Sequence, residues 1–331
     1  MAYNTLGNGL KDNSRIDRFA RIINAINPQI IGFNETGQTS EQDVYDVLAA
    51  SLGGVWYILK HNPENITASR FPIVGTWDVH DKIKATLIDL DAELHNFPYM
   101  LFVVGHLSCC GNDNSRQEQA DRFIEFVLDA KTPGGEITVP ENTPIVFLGD
   151  MNLVGYSQQY YTIIEGDIQD TDSYGEGGFP DWDNSELEDV ICRQTDKRMA
   201  YTWRHDNSEY PPGRLDFIFY TNSVISTAKS FTLQTEIMSE ERLENYNLLW
   251  NDTKEASDHF PVVADFNFLI DANCNFNGDI NNDGNINVVD VVIVINHILN
   301  SNDNEFECAD INNDEEVNIV DVVQLVELIL N

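Results

Sequence analysis

Several short stretches of this chain bring an acid, an amide or a histidine to the end of an apolar run. Gln29-Ile30-Ile31-Gly32-Phe33-Asn34 leads to Glu35, Leu101-Phe102-Val103-Val104-Gly105 leads to His106, and Pro144-Ile145-Val146-Phe147-Leu148-Gly149 delivers Asp150 and Asn152. Arg214-Leu215-Asp216-Phe217-Ile218-Phe219-Tyr220 holds an acid inside an apolar segment, and Ser257-Asp258-His259-Phe260-Pro261 sets an acid and a histidine directly before Val262-Val263-Ala264-Asp265-Phe266. Runs of this length, rich in β-branched and aromatic residues, read as strands. A strand is rigid, so the polar side chain at its end is fixed relative to those at the ends of its neighbours. The pattern asks for a sheet structure whose strand ends gather at one cleft.

The rest of the chain supplies helices and further strands. Ala2-Tyr3-Asn4-Thr5-Leu6 reads as a first strand broken at Gly7-Asn8-Gly9, and its abutment on Met1 leads us to expect a longer natural N-terminus with a secretion signal. Ser14 and Asp17 form a capping-box-like start to a helix with Ile16, Phe19, Ala20 and Ile23 on one face, stopped by Pro28. Between residues 55 and 106 lie the strands Trp56–Lys60, Ile66–Ser69, Ile73–Val79, Ala85–Leu90 and Tyr99–Gly105. Arg116 opens a helix whose apolar face is Ala120, Phe123, Ile124, Val127 and Leu128. Gly166 to Asn184 reads as an irregular surface loop, and Ala200–Arg204 as another strand.

Composition bounds the partners. With 331 residues, 42% of them hydrophobic, the chain has enough apolar side chain for one large domain and a small one. A formal net charge of −36 disfavours broad electrostatic capture of a nucleic-acid backbone and favours divalent cations, which can invert the field of an acidic cleft. No apolar stretch is long enough to span a bilayer. Cys274 and Cys308 stand before matching acidic loops, so a bridge between them and an oxidising compartment are expected. Cys109-Cys110 with Cys192 offers a second bridge.

The polar strand ends suit phosphoryl chemistry. Glu35, before the Gly37 turn, is an oxygen ligand for a hard cation. Asp150 and Asn152, two apart on an extended segment, point the same way, one to orient a water and the other to donate to a phosphoryl oxygen. Asp216 inside an apolar strand needs a partner, and His259 is the imidazole it would orient. Arg70, before Phe71-Pro72-Ile73, lies on a connection from which a phosphate can be reached.

Taken in order, Asn4, Glu35, Ser69-Arg70-Phe71-Pro72-Ile73, Gly105-His106-Leu107, Gly149-Asp150-Met151-Asn152, Arg214-Leu215-Asp216-Phe217-Ile218 and Ser257-Asp258-His259-Phe260-Pro261 resemble the endonuclease/exonuclease/phosphatase superfamily of deoxyribonuclease-I-like fold, over residues 1 to 268. The resemblance implies an α/β fold, a four-layer α/β/β/α sandwich of two packed mixed sheets, and metal-dependent hydrolysis of a phosphoester at the strand ends. It implies that Glu35 binds a divalent cation, Mg2+ or Mn2+, with Asn4 and Asp258 completing or supporting the shell. It further implies that Asp150 orients or deprotonates the water, that Asn152 and His106 contact the scissile phosphate, and that His259, held by Asp216, is the second acid/base or phosphate-binding group. The general base is either Asp150 or His259. Arg70 and Arg116 add phosphate contacts or serve as structural ion-pair partners.

After Phe268 the composition changes. Residues 271 to 331 hold thirteen acids and no lysine or arginine. Asp279, Asn281, Asp283, Asn285 and Asp290 recur as Asp310, Asn312, Asp314, Glu316 and Asp321. This is the spacing of EF-hand calcium loops, the seventh-position residues Asn285 and Glu316 contributing carbonyls. Each loop runs into an apolar helix, Val288 to Leu299 and Ile319 to Leu330, and the pair resembles a type I dockerin over 269–331. Ca2+ in both loops and a cohesin-like protein partner are thereby implied. Glu315 replaces the turn glycine, which predicts a weaker second site. The alternative is a calcium-stabilised cap on the chain's own enzyme domain.

The expectation is therefore a secreted or cell-surface, metal-dependent phosphoesterase cleaving phosphodiesters in the manner of an endonuclease. A phosphodiesterase or phosphatase of small-molecule or lipid phosphoesters is the alternative within the class. A non-catalytic calcium-dependent scaffold is the alternative outside it.

Overall fold

The computed structural model describes residues 1–90, 98–269, 278–280, 285–300, 309–312, 314 and 316–330. The first half runs β1 (Ala2–Asn4), α1 (Ile16–Ile26), β2 (Ile30–Asn34), α2 (Glu41–Leu52), β3 (Tyr57–Lys60), β4 (Asn65–Ser69), β5 (Ile73–His80), β6 (Ile83–Asp89), β7 (Tyr99–His106) and α3 (Asp113–Lys131). It continues with β8 (Ile145–Asp150), α4 (Gln158–Glu165), α5 (Thr171–Tyr174), β9 (Glu188–Asp189), β10 (Asp216–Tyr220), β11 (Ile225–Thr232), α6 (Glu240–Asn245), α7 (Asp252–Ala256) and β12 (Val262–Phe268). The C-terminal helices are α8 (Val288–Asn300) and α9 (Ile319–Leu330).

The strands form two six-stranded sheets, ordered β11-β12-β1-β2-β4-β3 and β5-β6-β7-β8-β10-β9. Each is mixed, with a parallel pair near its centre, β1 with β2 and β7 with β8. Antiparallel neighbours flank these pairs, β12 against β1 and β10 against β8. The central strands are apolar on both faces because both faces are covered. On one side of the second sheet Leu101, Val103, Ile145 and Phe147 pack with Phe123, Ile124 and Val127 of α3, and Phe147 stacks on Phe123 at 4.0 Å between centroids. On the other side Leu148 and Val104 reach the first sheet at Gly32, where an added Cβ would lie 2.5 Å from Leu148 Cδ1 and 2.9 Å from Val104 Cγ2. Only glycine permits the sheets to approach there. The outer face of the first sheet carries α1 and α2 through Phe19, Ile22, Ile23, Val44 and Leu48, which completes the four-layer α/β/β/α sandwich.

Local readings depart from the sequence in identifiable ways. Ser14 does not cap α1, because Asp12 Oδ1 accepts from both its N–H and its hydroxyl, and Arg15 takes the N-cap position without a side-chain bond. The capping box lies instead at Ser40 and Asp43 of α2. Ala200–Arg204 is not a strand; Trp203 makes isolated bridges to Gly213 and His259. Asp216 is the first residue of its strand rather than its middle. Among the described residues Cys109, Cys110 and Cys192 are free, and Cys192 is buried with its Sγ 3.5 Å from Val263 O, so it does not bridge to the vicinal pair. Cys274, Cys308, Asn281 and Asp283 lie outside the described residues.

The chain divides into two compact units, the first Met1–Leu90 with Tyr99–Asn267, the second containing the residues from Phe268 onward. In the second unit Ile280, Val291, Val294, Ala309, Val322 and Leu325 form a small core. Its two loops close alike. Asp290 accepts from Ile280 N at 2.7 Å and Asn287 N at 2.8 Å, and Asp321 accepts from Ile311 N at 2.9 Å and Asn318 N at 2.8 Å. Both carboxylates are fully buried.

Candidate active site

Three of the singled-out residues are neighbours by strand register. His106 on β7 and Asp216 on β10 both pair with Asp150 on β8, so the side chains stand abreast at one end of the second sheet. The first sheet meets them with Asn4 at the end of β1 and Glu35 just after β2, and His259 enters from the turn before β12. Gly149 makes the approach possible. At φ +133° it would place a Cβ 2.0 Å from Gly105 O and 2.8 Å from Asn34 Oδ1. Glu35 and Asn152 both hold left-handed backbones, φ 51° and 47°, the kind of local strain that a supporting framework must impose.

Asn4 sits at the centre of the cluster. Its Oδ1 accepts from Leu6 N–H, which turns Nδ2 to donate to Glu35 Oε1 and Asp150 Oδ2, both at 3.0 Å. Asn4 thus supports the carboxylates as a donor, the second of the two places expected for it. His259 Nδ1 lies 2.8 Å from Asp216 Oδ2, and its Nε2 is 3.5 Å from Asp150 Oδ2. His106 is arranged in the same way, with Nδ1 2.8 Å from Glu64 Oε2 and Nε2 3.7 Å from Asp150 Oδ2. Asn152 commits an N–H to Leu107 O, and its backbone N–H to Asp150 Oδ1.

These contacts set the charges. Burial pushes the Asp150 carboxyl up from its ordinary range, against the pull of His259. Burial opposes the imidazolium of His259, but the carboxylates of Asp216 and Asp150 outweigh it and hold the ring well above an ordinary histidine. His106 is likewise raised, burial being outweighed by Glu64, Asp150 and Glu35. Glu64 itself is held down to about 2, chiefly by its bond from His106.

The donor set fits a divalent cation. Glu35, Asp150 and His259 offer ligand atoms within 4.8 Å of one another. Asp216 favours the protonated form of His259, so the two carboxylates are the stronger ligands of the three, which matches an oxygen-preferring ion. Asp258 stands outside that group: its Oδ2 accepts from the Trp203 indole at 3.1 Å, while its Oδ1 is buried without a partner. In the second unit Asn312 Oδ1, at the third position of its loop, is a buried oxygen without a partner among the described residues, as a calcium ligand would be.

Arg116 is an ion-pair partner of Asp113, whereas Arg70 bonds to backbone carbonyls and makes no ion pair among the described residues. Arg116 is fully buried and donates to Ser108 O, Cys110 O and Asp113; Arg70 donates to Gly53 O and Leu52 O and lies 4.3 Å over the Trp56 ring. Four residues that the sequence did not single out prove central. Glu64 anchors His106, Asn34 ties the sheets beneath the cluster, and Trp203 holds Asp258. Thr202 donates to Asp216 Oδ2 at 2.7 Å.

Residues 1–259 match the model of the Endonuclease/Exonuclease/phosphatase family. The chain belongs to that family. As a member it is a metal-dependent hydrolase of phosphoester bonds. Residues 277–330 match the dockerin type I domain. No curated protein sequence matches the chain. Among solved structures, ANGEL2, described as a 2′,3′-cyclic phosphatase, is 18% identical over 80% of this chain and 93% of its own, with a TM-score of 0.54. A truncated TDP2 from Caenorhabditis elegans is 16% identical, covering 81% and 96%, with a TM-score of 0.51. A mannosyl-6-phosphatase from Bacteroides thetaiotaomicron is 16% identical, covering 81% and 98%, with a TM-score of 0.50. At these identities the likeness is one of fold. It agrees with the two-sheet sandwich described above.

Proposed function

We propose that the chain hydrolyses a small phosphoester by attack of water at the Asp150 cluster. The observation that carries this reading is the pair of carboxylate-anchored imidazoles, His259 on Asp216 and His106 on Glu64, both turning Nε2 toward Asp150 Oδ2. Both rings are shifted toward the protonated form, in which they present Nε2–H groups at one point as donors for two phosphoryl oxygens and need little reorganisation as charge develops there. Asp150, a carboxylate raised by burial, accepts the proton of the attacking water. Asn152 braces the loop at Leu107 and holds Asp150 Oδ1. A divalent cation held by Glu35 beside Asp150 would supply Lewis-acid polarisation of the phosphoryl group.

The charge around the site favours a small ester over a polynucleotide. Arg15, Arg70 and Arg116 spend donors on backbone carbonyls, and Lys82 pairs with Glu64 at 3.1 Å. A long phosphate backbone would meet mostly acids. We place the catalytic domain at 1–268 and the calcium-loop domain at 269–331. The second would dock a cohesin-like protein outside the cell. Val288, Val292, Ile295 and Leu299 form an exposed apolar stripe on α8, and Ile319, Val323, Val326 and Leu330 repeat it on α9.

The test is a substrate panel of p-nitrophenyl phosphate, bis-p-nitrophenyl phosphate and supercoiled plasmid, with Mg2+ or with chelator. Mg2+-dependent release of p-nitrophenol with intact plasmid supports the proposal. Efficient nicking of plasmid would instead make the chain the endonuclease that the sequence motifs led us to expect, and turnover of none of the three would refute the site.

A further inference from the structure

Cys109 and Cys110 follow His106 on the loop that leaves β7. Adjacent side chains on extended backbone point to opposite sides, so two neighbouring cysteines do not ordinarily bring their sulfurs together. Here they do: the two Sγ atoms are 2.7 Å apart, and both residues are exposed. The chain accomplishes this by placing Cys110 in the left-handed region, φ 65°, an unusual backbone for a residue with a side chain.

The loop is fixed in that shape by bonds that do not involve sulfur. The buried Arg116 guanidinium donates to Ser108 O at 2.7 Å and Cys110 O at 2.9 Å, and Asn112 Nδ2 donates to Cys109 O at 2.7 Å. Gln119 Oε1 accepts from Ser108 N at 2.9 Å. The third described cysteine, Cys192, is buried beside Val263 and is no competitor for either sulfur.

We propose that Cys109 and Cys110 form a vicinal dithiol site that closes to a disulfide between the two adjacent residues when it meets a small-molecule disulfide. The thiolate of one cysteine attacks the small disulfide, forming a mixed disulfide and releasing one thiol. The neighbouring thiolate then attacks the protein-side sulfur and releases the second thiol. Two protein thiols lose two electrons and two protons, and the small disulfide is reduced to two thiols. The second step is fast because the attacking sulfur is already beside its target, so the mixed disulfide does not accumulate.

The closed ring would sit at the edge of the site. Leu107 N donates to Asp150 O and Leu107 O accepts from Asn152, so the ring would stiffen the segment next to both.

The experiment treats the reduced full chain with oxidised glutathione and follows the proteolytic peptide that carries both cysteines by mass spectrometry. The expected result is loss of two hydrogens from that peptide with no glutathione retained, while Cys110→Ser keeps a glutathione adduct on Cys109. A wild-type peptide that stays reduced, one that retains glutathione, or one cross-linked to any other cysteine would overturn the proposal.

Discussion

Asp150 stands between two imidazoles, and the carboxylate behind each ring decides what the ring can do. Glu64 is held near 2 first by its bond from His106, so its stabilising share is present above its ordinary 4.5 and fades as pH falls toward 2. Burial works against a charged His106, but Glu64, Asp150 and Glu35 raise it. Its share is therefore complete below 6.5 and is lost as pH rises through its higher folded value. The pair stabilises most between the two ordinary values. Glu64→Gln is expected to lower the melting temperature most in that window, with the deficit shrinking on both sides; a deficit equal at every pH would contradict the pairing. Thr202 acts at one further remove. Its hydroxyl donates to Asp216 Oδ2 and accepts from the N–H groups of Leu215 and Asp216. Thr202→Val should cost about 10- to 100-fold in kcat while Thr202→Ser stays close to wild type, read from steady-state kinetics. Asp150, Asp216 and His259 were legible because a polar side chain in an apolar run is anomalous. Glu64 was not, because it lies in a polar turn, and its partner is 42 residues away.

At the scale of elements, the site depends on how the two sheets are joined. Asn34 at the end of β2 donates to Asn65 Oδ1 at 2.9 Å and Gly105 O at 3.0 Å, and it accepts from Asp150 N at 3.0 Å. This one buried amide touches β4 in its own sheet and β7 and β8 in the other. Asn34→Leu leaves those groups unpaired, with an expected loss of about 3 kcal/mol or more by urea denaturation; a loss below about 1 kcal/mol would show that the link is dispensable. The central strands could be read from sequence because burial on both faces leaves them continuously apolar. β11 could not, since Ile225–Thr232 is half exposed and carries Lys229 and Ser230 among its apolar residues. Ala200–Arg204 misled for the opposite reason. It has strand-like residues, yet its bonds go to Gly213, Asp258 and Asp216 around the site rather than to a ladder.

At the scale of the molecule, two units carry different chemistry. The tail concentrates thirteen acids without a lysine or arginine, and its two loops each bury an aspartate against backbone N–H groups. Such a unit needs cations to offset its own repulsion. A calcium-selective chelator should reduce the helical signal in circular dichroism while Mg2+-supported ester hydrolysis persists. Loss of both together would contradict independent units. The repeat was legible because its spacing is the ligand spacing itself. The family and its sandwich were legible through resemblance: the polar strand ends carry the motifs of that family in its order. The roles of Arg70 and Arg116 were not, since a guanidinium bound to carbonyls and one bound to phosphate look the same in sequence.

The most direct test is the Mg2+-dependent kcat of wild type and Asp150→Asn on bis-p-nitrophenyl phosphate, or on p-nitrophenyl phosphate if the monoester is preferred. Asparagine keeps the size and most of the hydrogen bonds of Asp150 but cannot take a proton from water. A fall of about 100-fold to 10,000-fold in kcat, with the fold intact by circular dichroism, is the predicted result. A kcat within about threefold of wild type would place the chemistry elsewhere.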